Sequence, residues 1–166
     1  MKALNSFGFP VLRFNFRGTG LSEGEHDHGV GEVEDVRTGL DWLEREFQLP
    51  LIFAGFSFGA AVGLKPACAD PRVRAIIGLG LPVAPIDERR YDFQFLHGCI
   101  KPKLFVSGSR DQFGPGPQLH ALIDPLPEPR RFVIIDAGDH FFDGRLRELR
   151  EAIESWVRQV VLTSSG

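Results

Sequence analysis

The sequence has few cysteines and no long apolar run. Cys68 and Cys99 are its two cysteines among 166 residues, and their spacing fits neither a metal-ligand motif nor a disulfide scaffold. We therefore expect two reduced thiols, as in a cytoplasmic protein. No apolar run approaches the roughly 20 residues needed to span a bilayer, and the first residues show no signal-peptide pattern. These absences predict a cytoplasmic protein with no membrane partner.

The sequence also has no strong excess of one charge. Its 19 Lys and Arg and 22 Asp and Glu give a formal net charge of −3, with both signs spread along the chain. Nucleic-acid-binding proteins concentrate basic residues in a patch or stripe, so this composition predicts no nucleic-acid partner. No repeat, low-complexity tract or linker divides the chain. We therefore expect a single domain over residues 1–166.

Apolar runs alternate with amphipathic segments along the chain. Strands are predicted at residues 11–16, 51–54, 75–79, 103–107 and 132–136. Helices are predicted at residues 33–47 and 146–160, because their apolar residues recur at the spacing of one helical face. Continuously apolar strands that alternate with helices are typical of a parallel sheet covered by helices. The sequence thus predicts an α/β fold, with a mostly parallel sheet of about five strands flanked by helices.

Two segments depart from this pattern. Pro66 lies inside the helix that should follow residue 57. Because proline lacks a backbone donor and clashes with the preceding turn, we expect a kink or an early end near Lys65. Residues 81–100 are rich in Pro, Asp and Arg and have no clean period. They predict an irregular excursion that helps to line a substrate pocket.

The segment with the clearest chemical meaning is Gly-Phe-Ser-Phe-Gly at residues 55–59, between an apolar run and a small-residue helix. A G-x-S-x-G turn between a strand and a helix exposes its serine hydroxyl at the carboxyl edge of a sheet, and the glycines let the cramped turn close. We predict Ser57 as a nucleophile. The Phe58 N–H begins the helix and is placed to stabilise an oxyanion.

A serine nucleophile needs a base and an acid that orients the base, and in this arrangement they follow in the order Ser, Asp or Glu, His. Asp111 follows one predicted strand and His140 follows the last one. We predict them as acid and base. Asp136 and Asp139 remain alternative acids, although Asp139 adjoins His140 in sequence and is awkwardly placed to reach its Nδ1. The other histidines do not follow a terminal strand: His26, His28, His97 and His120.

Two further motifs suggest a metal or a cofactor but fit poorly. His26-Asp27-His28 has the residue types of a metal site, yet no third ligand stands at a compelling spacing. Gly18-Thr19-Gly20 resembles the start of a dinucleotide fingerprint, but Glu23 replaces its third glycine and no helix is predicted to begin there. We therefore predict no cofactor and no metal.

Three parts of the sequence together resemble a known family: residues 13–20 with Ser22 and Gly24, residues 55–59 and residues 139–146. They are similar to the small, lidless α/β-hydrolases often described as predicted carboxylesterases and related to dienelactone hydrolases. The resemblance covers nearly the whole chain. It implies Ser57, Asp111 and His140 as a catalytic triad, a cofactor-free mechanism and small ester substrates.

The start of the chain departs from this family. Its members begin with strands that end in a histidine- and glycine-containing loop, which lies over the nucleophile and donates the second oxyanion N–H. Residues 1–9 resemble only the last turns of the helix after that loop, as expected if Met1 is an internal methionine of a longer protein. The missing strand belongs between residues 11–16 and 51–54. Either these two strands pair directly or another chain fills the gap in an N-terminally shortened α/β-hydrolase fold.

These features predict a carboxylesterase-type serine hydrolase that acts on small esters through an acyl-enzyme. The alternative is a catalytically weak or silent α/β-hydrolase-like module that serves in binding or assembly, because half of the oxyanion hole is missing. With the first strands absent, one sheet face and the edge near residues 11–16 should be poorly covered. We therefore expect a homo-oligomer that buries them.

Overall fold

A computed structural model describes residues 2–85 and 89–161. Its helices are α1 (Lys2–Asn5), α2 (Glu32–Phe47), α3 (Phe58–Ala69), α4 (Gly116–Ile123) and α5 (Leu146–Trp156), with a 3₁₀ turn at Gln94–Gly98 and a π-helical turn at Val157–Val161. Its strands are β1 (Leu51–Phe56), β2 (Val73–Leu79), β3 (Lys103–Gly108) and β4 (Arg130–Ile135). Within the described ranges, these form one parallel sheet of four strands in the order β1-β2-β3-β4.

Helices pack on both faces of this sheet. On one face, Leu64 of α3 belongs to a buried cluster with Ile76 and Phe105 of the sheet. On the other face, Trp156 of α5 is buried with a second set of strand residues that includes Leu104. Successive strand side chains point to opposite faces, so a strand that is apolar throughout contributes to both clusters. The predicted α/β class with a parallel sheet flanked by helices is confirmed.

The strand predicted at residues 11–16 is wrong, and the sheet has four strands rather than about five. These residues have no regular secondary structure in the described part of the chain. A strand in a sheet needs a neighbour whose N–H and C=O groups hydrogen-bond to its own. Here a groove of about 960 Å³ lies between Val11 and Leu12 on one side and β1 on the other, where Ile52 and Ala54 line it. The two segments therefore do not pair directly, and β1 is an edge strand.

The sequence predicted a kink or an early end near Lys65 in the helix that follows the turn at residues 55–59, which we call the elbow. The helix, α3, does not end there. It continues to Ala69 with Pro66 inside it and buried. Because α3 is packed between α2 and the sheet, its burial outweighs the loss of one backbone donor. At the carboxyl end of this helix, the Lys101 ammonium donates hydrogen bonds to the carbonyls of Ala67 and Asp70.

The remaining elements agree with expectation except at one place. The helix predicted at residues 33–47 is present as α2, and Gln48 ends it with a left-handed φ of 51°. Helix α4 was not predicted, because it is short and begins in a Pro-Gly-Pro run. The segment 81–100 is irregular apart from its 3₁₀ turn, and its residues 86–88 lie outside the described part. No helix in the described ranges is long and apolar enough to cross a bilayer.

Candidate active site

Ser57 stands at the turn between β1 and α3 in a strained backbone conformation. Its φ of 49° and ψ of −117° are unusual for a residue with a side chain. Backbone hydrogen bonds hold it there. Its N–H donates to the Leu79 carbonyl at 2.9 Å, and its carbonyl accepts from the N–H groups of Ala60 and Ala61 at 3.0 Å each. The hydroxyl is thus fixed at the carboxyl end of the sheet, where strand-to-helix turns present nucleophiles.

The two glycines of the elbow serve different purposes. A Cβ on Gly55 would lie 2.7 Å from the backbone N and Cα of Ala60, which is closer than backbone atoms tolerate. The close approach of strand and helix therefore requires glycine at this position. A Cβ on Gly59 would find its nearest neighbour 3.8 Å away, on the ring of Phe16, which is ordinary contact. Steric contact therefore requires glycine at position 55 but not at position 59.

The structure brings the side chains of Ser57, Asp111 and His140 into one hydrogen-bonded line. His140 Nε2 lies 2.9 Å from Ser57 Oγ. On the other side of the ring, Nδ1 lies 2.9 Å from Asp111 Oδ2 and 3.0 Å from Oδ1. Asp111 and His140 are only 4% and 7% exposed, so little water competes for these bonds.

The Asp111 carboxylate is held by its own loop and by the strand before it. Its Oδ1 accepts the N–H of Phe113 at 2.9 Å and of Gly114 at 3.2 Å, and its Oδ2 accepts the Ser107 hydroxyl at 3.3 Å. An ionised carboxylate only accepts, so Nδ1 of His140 must carry the proton of the bond between them. Nε2 is then free to accept a proton from Ser57.

The two alternative acids lie apart from the His140 Nδ1 contact. Asp139 turns its carboxylate to the following loop, where Oδ1 accepts the Asp143 N–H at 2.9 Å. Asp136 is exposed at the end of β4. Among the described residues, Asp111 is the carboxylate bonded to Nδ1 of His140.

Gly108, the last residue of β3, and Gly138, which follows β4, set the distance between the Asp111 and His140 loops, which was not predicted from the sequence. A Cβ on Gly108 would lie 2.2 Å from the Gly138 carbonyl oxygen, so these two backbones touch. That carbonyl also accepts the Arg110 N–H at 2.8 Å. The available signal was a glycine following each of the two strands that carry the acid and the base.

Phe58 begins α3, so its N–H has no acceptor within the helix and lies at the positive end of the helix dipole. Its ring packs edge-on against Phe16, with centroids 5.5 Å apart, and lies 5.3 Å from the ring of His26. The loop before α2 is therefore anchored directly beside the elbow. The oxyanion donor predicted from the sequence is this N–H group.

The His26-Asp27-His28 segment is organised by a buried glutamate. Glu32, whose side chain is fully buried, accepts the N–H groups of Asp27 and Gly29 at 2.8 Å each and lies 2.7 Å from His26 Nδ1. In the part of the chain that the structure describes, no three His, Cys, Asp or Glu residues are grouped to hold a metal ion. The segment is thus tied to the carboxylate that begins α2.

The pKa of Glu32 is lowered in the folded state. Burial by itself raises this pKa. The backbone hydrogen bonds and the nearby His26 together lower it by more than burial raises it. A carboxyl whose folded pKa lies below its unfolded value stabilises the fold above the unfolded pKa, and this stabilisation disappears as the pH falls through the folded pKa. Glu32 should therefore contribute to stability at neutral pH and not in acid.

We expect Glu32→Gln to lower the free energy of unfolding at pH 7, because a neutral amide cannot accept both backbone N–H groups as a carboxylate does. The loss should be about 1–3 kcal/mol and should be smaller at about pH 3, because the stabilisation by the ionised carboxylate falls as the pH drops towards the lowered folded pKa of Glu32. Urea unfolding at both pH values measures it, with exposed Glu23→Gln as control. An equal loss at both pH values would contradict the assignment.

The chain is similar in sequence and in structure to several known proteins. A family model described as an alpha/beta hydrolase domain matches residues 1–165. The chain is 35% identical to an uncharacterized protein of Rickettsia prowazekii, over 94% of this chain and 68% of that protein. It resembles the structure of an alpha-beta serine hydrolase homologue from Coxiella burnetii, with 40% identity and a TM-score of 0.83 over 93% of this chain and 72% of that one.

A second solved structure has no lid. It is a member of the a/b serine hydrolases from Xanthomonas campestris, with 32% identity and a TM-score of 0.84, and the match covers 95% of this chain and 70% of that chain. The chain therefore spans between 68% and 72% of the length of these three relatives. The resemblance to small lidless α/β-hydrolases stated from the sequence is confirmed.

Proposed function

Since the chain belongs to the α/β-hydrolase domain family, we propose that it is a serine hydrolase of the carboxylesterase type. Its substrates are small carboxylic esters, and it needs no cofactor. The observation that carries this proposal is the line of hydrogen bonds from Ser57 Oγ through His140 to Asp111, with 2.9 Å at each junction. Such a line raises the nucleophilicity of a hydroxyl that is otherwise inert at neutral pH.

The reaction follows from the direction of those bonds. Ser57 Oγ attacks the ester carbonyl carbon while its proton passes to His140 Nε2, and the carbonyl oxygen becomes an oxyanion beside the Phe58 N–H. Collapse of this intermediate breaks the bond to the alcohol, which leaves with the proton from Nε2. Water then attacks the acyl-enzyme with His140 again as the base, which releases the acid and restores the Ser57 hydroxyl.

A fluorophosphonate probe and a panel of short acyl esters test this function together. Covalent labelling with hydrolysis of at least one ester is the expected result, because the probe reacts with a serine that has an activated hydroxyl. Absence of both would favour the rival, a silent binding or assembly module. The observation that favours the rival is the groove beside β1, which is open next to Gly55 and Phe56 of the elbow strand.

Ester hydrolysis should rise with pH. A histidine that accepts the serine proton works only as the neutral imidazole, so kcat/KM should be lower at about pH 5 than at about pH 8. Initial rates at low substrate concentration, in buffers of constant ionic strength, measure the profile. A flat profile over this range, in a preparation that reacts with fluorophosphonate, would contradict histidine-assisted attack.

We also propose that the chain forms a homo-oligomer through residues 51–54 of the β1 edge, since a second copy brings an identical edge that pairs with no further strand among the described residues. Light scattering at high micromolar concentration should then show a dimer or a larger assembly. Exposed Ala54 of β1 lines the groove, and Ala54→Lys should shift the mass towards the monomer. A monodisperse monomer of the unmodified chain would overturn this proposal.

A further inference from the structure

Three phenylalanine rings surround the imidazole of His140. The ring centroids of Phe56, Phe113 and Phe141 lie 5.0, 4.8 and 5.2 Å from that of His140. Two of these rings also face solvent, since Phe56 is 39% exposed and Phe141 is 63% exposed. The ring centroids of Phe56 and Phe141 lie 6.1 Å apart. Together, Phe56 and Phe141 form an exposed aromatic pair directly beside the candidate base.

The hydrophobic core does not require this pair. The neighbouring Phe142 supplies the core residue of its loop, where it is only 2% exposed and belongs to the cluster under α5. Phe141 points the other way, towards Phe56 and the His140 ring. Scattered exposed apolar side chains are ordinary on protein surfaces, whereas adjoining exposed rings at a reactive group offer a contiguous apolar surface to a ligand.

The proton path decides which half of an ester reaches these rings. His140 Nε2 returns its proton to the oxygen of the departing alcohol, so that oxygen must come within hydrogen-bond distance of Nε2. Substituents on the alcohol then extend from Nε2 along the His140 side of the site, where Phe56 and Phe141 lie. The acyl carbon stays at Ser57, because it becomes bonded to Oγ.

We propose that Phe56 and Phe141 bind the alcohol half of the substrate and that the enzyme prefers esters of aromatic alcohols. This inference rests on the proposed esterase function and adds to it the class of the leaving group. An aromatic ring placed against exposed rings gains edge-to-face or offset contacts beyond the burial of its area, which an aliphatic group of equal size does not. The preference therefore concerns the ring and not only its hydrophobicity.

The test compares three acetates that share one acyl group: methyl, benzyl and cyclohexylmethyl acetate. The unmodified enzyme should hydrolyse benzyl acetate with the highest kcat/KM. In Phe141→Ala, the ratio of kcat/KM for benzyl acetate to that for methyl acetate should fall by about two- to tenfold. Benzyl alcohol should also become a weaker competitive inhibitor. Phe141→Leu, which keeps an apolar side chain without the ring, should lose most of the preference over cyclohexylmethyl acetate.

Trp42→Ala is the matched control, because Trp42 of α2 is 39% exposed and its ring packs against Phe47. This variant should leave the ratios of kcat/KM among the three acetates unchanged. An unchanged benzyl-to-methyl ratio in Phe141→Ala, with all acetates still hydrolysed, would overturn this inference and leave the esterase function standing. No hydrolysis of any acetate and no fluorophosphonate labelling would overturn the proposed function and this inference with it.

Discussion

Replacing Ser57 with alanine should abolish ester hydrolysis and fluorophosphonate labelling, with a fall in kcat of up to about a million-fold, as expected when a nucleophile that acts as a unit with its base is removed. The fold should persist, because within the described ranges the hydroxyl is bonded to His140, and the backbone bonds to Leu79, Ala60 and Ala61 do not involve the side chain. Active-site titration and steady-state kinetics measure the loss.

A thermal or urea unfolding curve should show that Ser57→Ala changes the free energy of unfolding by less than about 1 kcal/mol. Ser6→Ala is the matched control, since the Ser6 hydroxyl bonds to Ala3 and Glu154 near the first helix. That variant should keep its activity and its labelling. Turnover by Ser57→Ala at the level of the unmodified enzyme would refute the assignment of the nucleophile.

Asp111→Asn should lower kcat by about 10⁴-fold. The amide oxygen of asparagine can still accept the N–H groups of Phe113 and Gly114, so the loop should keep its shape. The amide nitrogen, however, donates, and a donor facing His140 Nδ1 favours the tautomer with the proton on Nε2. That proton faces Ser57 Oγ and prevents the ring from accepting the serine proton.

Asp139→Asn is the matched control for this change, because asparagine can accept the Asp143 N–H as aspartate does. Steady-state rates of the two variants at one pH, together with their unfolding curves, make the comparison. We expect Asp139→Asn to keep most of its turnover. A large loss in Asp139→Asn with Asp111→Asn unaffected would mean that the wrong carboxylate had been assigned.

Local sequence pattern was sufficient to predict several parts of this protein. The apolar run before residue 55, the turn and the small-residue helix specify β1, the elbow and α3 within one short segment. The remaining strands could be found because each is a continuous apolar run that ends near a glycine. The order of Ser57, Asp111 and His140 was also legible, since the carboxyl ends of parallel strands share one edge of the sheet.

Features that depend on residues distant in sequence could not be predicted and emerge from the folded structure. Residues 11–16 have the composition of a strand, but a strand exists through pairing, and the groove beside β1 separates them from it. Three aspartates were candidate acids, and the contact across the sheet edge identifies Asp111 as the partner of His140. The close approach of Gly108 to Gly138 and the burial of Glu32 likewise arise from chain segments that meet only on folding.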